Sequence, residues 1–554
     1  MNAARTLFLP VLISSSLTFG QTALVGEGKP FTRTFKNATG DQHQVIAGLI
    51  APDGNALLYV VENGIHKVVR VDQQLQPSDE LALQAIPFDG LLWNGVAPLV
   101  ADGSMHCLLV SPGKRSADYA IGVVETRGAP ALSGIRRIAS SELPYLADPT
   151  YTLPRRPLPD PILSSKGLLF VEQERIIAAP DGEHFLLSNH TKDEKGAKHF
   201  WFAYLDKEFT VLWSGVKELP YADTKSRIHQ LSLSNEGTIH VISYVFACAS
   251  AEQMRDKLCH ELHLTTLTDR GNTVTDVLIE KDFVSSARLC ERDSGRVSVA
   301  LRYGALTGQQ GLVITFDPHE PKLKSTPVVD QRAYSIHKTK LVAYGSIDPS
   351  EQRKTPSRTA KVPDEIVEIM PARNGGLLLV ETFLDEGFQV PMDGAIAMRR
   401  LCGDIRVSFV AANDTVQWEQ VLPRAFMTTA GRDYEGIHIQ RTGDGLTLFF
   451  DHTPRGLEAI LRSGTRSPDA MASDDKGKKD KLLAPAEAGV LKAVALDGSG
   501  GIVKNGTVLI GKEDLVPCPS SVIRDPRNGR YLVKSYDRNI TYTYSTIDPS
   551  LSGE

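Results

Sequence analysis

Val45-Ile46-Ala47-Gly48-Leu49-Ile50, then Pro52-Asp53-Gly54-Asn55, then Leu57-Leu58-Tyr59-Val60-Val61 is the stretch on which the fold is decided. An apolar run meets a turn built from Asp and Gly, and a second β-rich run follows. Asn63-Gly64 supplies a hairpin turn, because both residues tolerate the left-handed backbone such turns need, and Lys67-Val68-Val69-Arg70-Val71 reads as a third strand.

The same grammar returns along the chain. Arg175-Ile176-Ile177-Ala178-Ala179 leads through Pro180-Asp181-Gly182 to Phe185-Leu186-Leu187-Ser188, and His229-Gln230-Leu231-Ser232-Leu233 leads through Asn235-Glu236-Gly237 to Ile239-His240-Val241-Ile242. Ala287-Arg288-Leu289-Cys290 before Ser294-Gly295, Glu365-Ile366-Val367-Glu368-Ile369 before Asn374-Gly375-Gly376, and Gly436-Ile437-His438-Ile439 before Gly443-Asp444-Gly445 are three more. Residues 91–127, with Ala101-Asp102-Gly103 at the turn, hold a seventh. The spacing of roughly 45 to 70 residues suits a four-stranded propeller blade with loop insertions. Two aromatic-ended hairpins fit the outer half of such a blade: Phe200-Trp201-Phe202-Ala203-Tyr204-Leu205 with Val211-Leu212-Trp213, and Ile405-Arg406-Val407-Ser408-Phe409-Val410 with Val416-Gln417-Trp418. The expected fold is therefore all-β, a single β-propeller of seven four-stranded blades. The competing architecture is an irregular multi-sheet sandwich. Tyr531-Leu532-Val533-Lys534-Ser535-Tyr536 and Thr541-Tyr542-Thr543-Tyr544 are expected to close the ring against N-terminal strands.

A chain of 554 residues would ordinarily divide into several domains, but a repeat architecture buries each unit on its neighbours. Residues 1–20 read as a signal peptide. Arg5 is the positive start, Leu7-Phe8-Leu9-Pro10-Val11-Leu12-Ile13 the apolar run, and Thr18 and Gly20 the small residues before Gln21. Residues 21–554 then form the propeller domain, interrupted by polar insertions at about 350–360 and 463–481. The expected destination is the periplasm, the cell surface or the medium. With no later apolar stretch of spanning length, no membrane span is expected. The net charge of −5 offers no basic excess to collect nucleic acid or anionic lipid. A monomer is expected.

Six scattered cysteines make no disulfide-built scaffold, and none has CxxC spacing. Cys248 and Cys259 alone are close, at the base of a polar hairpin loop, and an oxidising compartment would let them form a structural disulfide. Two free thiols are the alternative.

Tyr204-Leu205-Asp206-Lys207-Glu208-Phe209-Thr210-Val211-Leu212-Trp213-Ser214, running on to Glu218-Leu219-Pro220-Tyr221-Ala222-Asp223, resembles a stretch found in a group of uncharacterised exported proteins of Bacteroidota. Gly403-Asp404-Ile405-Arg406-Val407, leading to Val416-Gln417-Trp418-Glu419 and Leu422-Pro423, resembles it too, and Phe450-Asp451-His452 is similar to a polar turn that ends the group's next blade. The likeness is clearest over residues 168–455. It implies export and a propeller-like fold, and it implies no reaction.

Catalytic signatures are missing or better explained otherwise, so no catalytic, cofactor-binding or metal residue is assigned. Cys259-His260-Glu261-Leu262-His263 lacks the helical spacing of a zinc motif, and on a strand His260 and His263 face opposite ways. No Gly-x-Ser-x-Gly elbow or phosphate-cradling loop occurs, and Asp497-Gly498-Ser499-Gly500-Gly501 has too few carboxylates for calcium. Asp53, Asp181, Asn235, Glu236 and Asn374 fall in first-hairpin turns near one face, where Asp, Asn and Gly are what the turn demands. The favoured expectation is a binding or scaffolding module for a protein or glycan at the cell envelope. A propeller enzyme of hydrolase, lyase or lactonase type, and a purely structural envelope component, are the competing ones. A central cluster of three or more carboxylates or histidines from different blades would favour the enzyme, and a mouth lined by aromatics and neutral polar residues would favour binding.

Overall fold

Each repeated unit becomes one antiparallel sheet whose strands lie in chain order, and eight such sheets form a propeller ring. The computed structural model describes residues 24–29, 31–32, 43–62, 64–143, 176–192, 197–222, 226–246, 260–269, 273–279, 284–292, 295–303, 310–316, 333–334, 364–392, 395–413, 415–422, 424, 426–428, 436–452, 490–510, 516–536 and 541–551. Blade 1 runs through His43–Ile50, Ala56–Glu62, Ile65–Val71 and Pro77–Ala82. The first strands of blades 2 to 7 are Leu91–Ala101, Ile176–Ala178, Ser226–Leu233, Val284–Glu291, Asp364–Pro371 and Ile437–Thr442. First strands of successive blades approach one another, so they are the strands nearest the axis.

The sheets are buried on both faces, which is why the second strand of blade 1 is a continuous buried run and not an alternating one. Alternation instead sorts its residues between two neighbours. Leu57, Tyr59 and Val61 join Trp93, Met105 and Leu109 of blade 2, while Ala56, Leu58 and Val60 join Leu532 and Tyr544 of blade 8. Apolar clusters of this kind fill the successive gaps right round the ring. Lateral stacking of this sort is how a chain of such length avoids needing one very large core.

The expectation of seven blades is corrected to eight. The seven sequence units are all present, and the C-terminal run makes a further blade instead of completing one of them. Its second and third strands are Tyr531–Tyr536 and Thr541–Ile547, and Leu24–Glu27 from the N-terminus pairs with the latter as the outermost strand. Ring closure by strands from both ends of the chain is thus as expected. The extra blade was hard to read because its first strand is split into Val516–Pro517 and Ile523–Arg524 around the turn Pro519–Ser521. Prolines there remove both the apolar run and the amide donors that mark the other first strands.

The aromatic hairpins do sit at matching positions, as third and fourth strands of blades 3 and 6. Their rings reach the turns of the following blade. Tyr204 donates its hydroxyl to Asn235 O at 3.0 Å, and the Trp418 indole N–H points at Gly498 O at 3.3 Å. Gly237 and Gly500, both with φ +83°, leave room for them, since a Cβ at Gly500 would lie 2.6 Å from the Trp418 ring. Phe450-Asp451-His452 is not a turn: it ends the strand Gly445–His452. Residues 1–20 and the insertions at 350–360 and 463–481 lie outside the described residues, as do Cys248 and Cys259. The strands flanking that cysteine loop do pair, Phe246 opposite His260. No helix among the described residues is long and apolar enough to cross a membrane.

Candidate functional site

First strands of neighbouring blades diverge too much to share a sheet, so polar side chains join them. On blade 4, Gln230 donates its amide to Leu289 O at 3.1 Å and accepts from Leu289 N at 2.8 Å, imitating a strand partner. His229 Nε2 lies 2.8 Å from Ala287 O. On blade 5, Ser286 Oγ accepts from Ile366 N at 3.1 Å, and Arg288 donates Nε to Val367 O at 3.3 Å and Nη1 to Ala287 O at 3.1 Å. The Tyr244 ring tilts against His229 at 4.7 Å between centroids.

His229, Tyr244, Arg288 and Glu368 are residue types from which acid–base chemistry is built, and here His229 and Arg288 are engaged between blades. Burial first, and then the Arg288 cation, push His229 down to about 3, so the imidazole is neutral. Burial raises the Tyr244 phenol above its ordinary value and also raises Glu368, whose carboxyl Arg288 partly offsets. His229 is 3% exposed, too enclosed for a substrate to reach. This wall stitches blades together.

Chemistry gathers differently at the face carrying the first-hairpin turns. Asp181 belongs to the turn of blade 3, Glu236 to that of blade 4, and Glu291 ends the first strand of blade 5. The Asp181 amide donates to Asn235 Oδ1 at 2.9 Å, which locks two of these turns together. Asp181 Oδ1 accepts from the amides of Glu183 and His184, and Oδ2 lies 2.7 Å from His184 Nδ1. Burial opposes the charge on Asp181, yet these bonds outweigh it and hold the carboxyl below its ordinary value. A fixed anion therefore faces Glu291. Burial, reinforced by Glu236 and Asp181, pushes Glu291 up to about 7, and its Oε2 is buried without a hydrogen-bond partner.

The turn residues singled out from sequence divide accordingly. Asp53 accepts from the Asn55 amide and pairs with Arg70, and Asn374 takes the left-handed backbone, φ +57°, of its turn. Both do turn work, whereas Asp181, Asn235 and Glu236 also meet across blades. Glu291 and Arg288 were not singled out. The available signal was only a charged residue within a first strand, Val284–Glu291. Within the Cys259–His263 stretch, His263 Nε2 lies 2.7 Å from Glu261 Oε2, as neighbours on one strand face do. Among the described residues no group of three His, Cys, Asp or Glu is placed to hold a metal ion.

No protein-family model and no curated protein matches the chain. Solved structures similar to it include prolyl oligopeptidase B from Galerina marginata, at 9% identity and TM-score 0.37, covering 90% of this chain and 55% of that one. The polysaccharide lyase Uly1 is similar at 10% identity and TM-score 0.30, covering 94% of this chain and 93% of that one. A protein of unknown function from Bacteroides caccae is similar at 11% identity and TM-score 0.23, covering 69% and 94%. The chain thus spans about 55% of the length of the oligopeptidase. Likenesses this distant bring no activity and no ligand with them.

Proposed function

We propose that this chain is an exported β-propeller that binds a protein or glycan at the cell envelope, through the face bearing the first-hairpin turns of blades 3 to 5. The observation carrying this reading is the shared field of Asp181, Glu236 and Glu291, brought from three successive blades to one mouth. Carboxylates so placed accept hydrogen bonds from sugar hydroxyls or from the cationic side chains of a protein segment. Export is supported by the signal-like residues 1–20 and by the resemblance to exported Bacteroidota proteins over residues 168–455. Mass spectrometry of protein recovered from its host is expected to find Gln21 as the mature N-terminus. An intact Met1 would end the export reading.

A second reading is the enzyme that carboxylates gathered from several blades were expected to favour, and within this group it rests on Glu291. A carboxyl titrating near 7 has the value a general acid or base needs, which suits a propeller hydrolase, lyase or lactonase. Glycan and peptide arrays probed with wild type and Glu291→Gln separate the two. Binding predicts a ligand captured intact by the wild type and held at least about tenfold more weakly by the variant, the loss of one charge-assisted bond. Catalysis predicts an altered product released by the wild type only. A variant that captures everything the wild type captures removes this face from either role.

The same substitution has a pH signature. The folded-state value of Glu291 is raised above the ordinary 4.5, so its contribution to stability is complete below 4.5 and is lost as pH rises through about 7. Thermal melts should therefore show Glu291→Gln gaining on the wild type between pH 5 and 8. A constant difference across that range would show that the carboxyl is not perturbed.

A further inference from the structure

The gap between blades 7 and 8 encloses a carboxyl that no protein group satisfies. On the strand Gly445–His452, Phe450 packs toward blade 6 and Phe449 toward blade 8, among Tyr531 and Val533. Alternation gives Asp451 the same side as Phe449. The register sets Ile437 opposite Phe450, so Asp451 stands across from Gly436, which has no side chain to fill the space. The turn Pro519–Ser521 packs over this part of blade 7, with Ser520 about 3.3 Å from where a Gly436 Cβ would be. Asp451 is 0% exposed, and neither carboxyl oxygen has a hydrogen-bond partner. His438, in ring contact with Phe449 and so on the same face, also has its Nε2 buried without one. Arg424 donates Nε to the main-chain oxygen of Asp451 at 3.3 Å and Nη2 to Gly436 O at 3.5 Å, leaving the Asp451 carboxyl unbonded.

Burying polar atoms without partners costs more than most other defects in a native interior, and internal water is the usual remedy. Burial raises Asp451 well above its ordinary value, against the opposing pull of Arg424, and so favours the protonated carboxyl, a group with an O–H to donate. Burial likewise takes His438 down to about 4, so its ring is neutral and one nitrogen accepts. A bridging group must accept from an acid O–H, donate to the acid's carbonyl oxygen, and suit either tautomer of His438. It must also be small enough for a closed site. A metal cation fails the first requirement and would sit beside the Arg424 guanidinium. Water meets all of them.

We propose that Asp451 and His438 hold ordered internal water in the gap between blades 7 and 8, as a polar plug that Gly436 leaves room for. A crystal structure of the mature protein, at a resolution that shows ordered solvent, should place a solvent peak about 2.7–3.2 Å from an Asp451 carboxyl oxygen. The peak should persist in Asp451→Asn, whose amide donates and accepts without taking up a proton, and vanish in Asp451→Leu. In thermal melts Asp451→Asn should stay within about 2 °C of the wild type or rise above it, while Asp451→Leu, which strips His438 of its partner, falls below both. A dry gap, direct protein donors on the carboxyl, or equal melting of the Asn and Leu variants would each overturn the proposal.

Discussion

Deleting residues 515–548 is expected to abolish soluble, monomeric protein. The deletion takes away the first, second and third strands of blade 8 and leaves Leu24–Glu27 with no strand to pair. It bares two faces at once. Phe449, Leu491, Val508 and Leu509 of blade 7 lose Tyr531, Val533 and Ile547, and Val45, Leu58, Val60, Val69 and Val71 of blade 1 lose Leu532 and Tyr544. Each large apolar side chain returned to water costs roughly 1.5–3 kcal/mol. The sum over these residues is as large as the whole stability of an ordinary domain, about 5–15 kcal/mol. The opened ring also presents the unpaired edges that invite association. Size-exclusion chromatography of the soluble fraction reads the result. A truncated chain that elutes as a monomer and melts with the wild type would show that blade 8 does not close the ring.

How much of this could be read from the sequence follows from what each feature depends on. Seven blades were legible because the first hairpin is encoded locally. Gly54, Gly182, Gly237 and Gly295 take φ between +71° and +90° at the turns, so Gly stands where the pattern predicts it. A second strand buried on both faces announces itself as an apolar run, as Leu57-Leu58-Tyr59-Val60-Val61 does. Blade 8 keeps the turn, Gly529 at φ +71°, and the second strand Tyr531–Tyr536, but lacks an unbroken first strand before them. Its outer strand comes from the other end of the chain, a pairing with no local signature. The candidate site shares that difficulty. The raised pKa of Glu291 arises from burial and then from Glu236 and Asp181, each on a different blade, and no window of sequence contains all three. Asp181 and Glu236 could be named as turn residues on one face; the inner-strand carboxyl they act on could not.

Glu381→Leu is expected to cost about 3–5 kcal/mol, the loss that follows when one member of a buried ion pair is removed. Glu381, on the second strand of blade 6, has a side chain 2% exposed and faces Arg302 of blade 5, at 3%. Arg302 Nε donates to Glu381 Oε1 at 2.7 Å, and Arg406 Nη1 approaches Oε2 at 3.9 Å. The substitution therefore takes the carboxylate away from a buried guanidinium, and the loss of that charge partner, more than the lost hydrogen bond, is most of the cost. The double variant Arg302→Met with Glu381→Leu should recover the greater part. It removes the buried cation as well, while Arg406, 15% exposed, keeps Glu419 at 4.0 Å. Urea denaturation of the two single variants and the double gives the coupling. Because the partners touch, the double should be more stable than either single, a strongly non-additive cycle. Additive losses would mean that the pair is not coupled and that the apolar cluster between blades 5 and 6, which includes Ala300, Ile366 and Leu379, holds that gap without it.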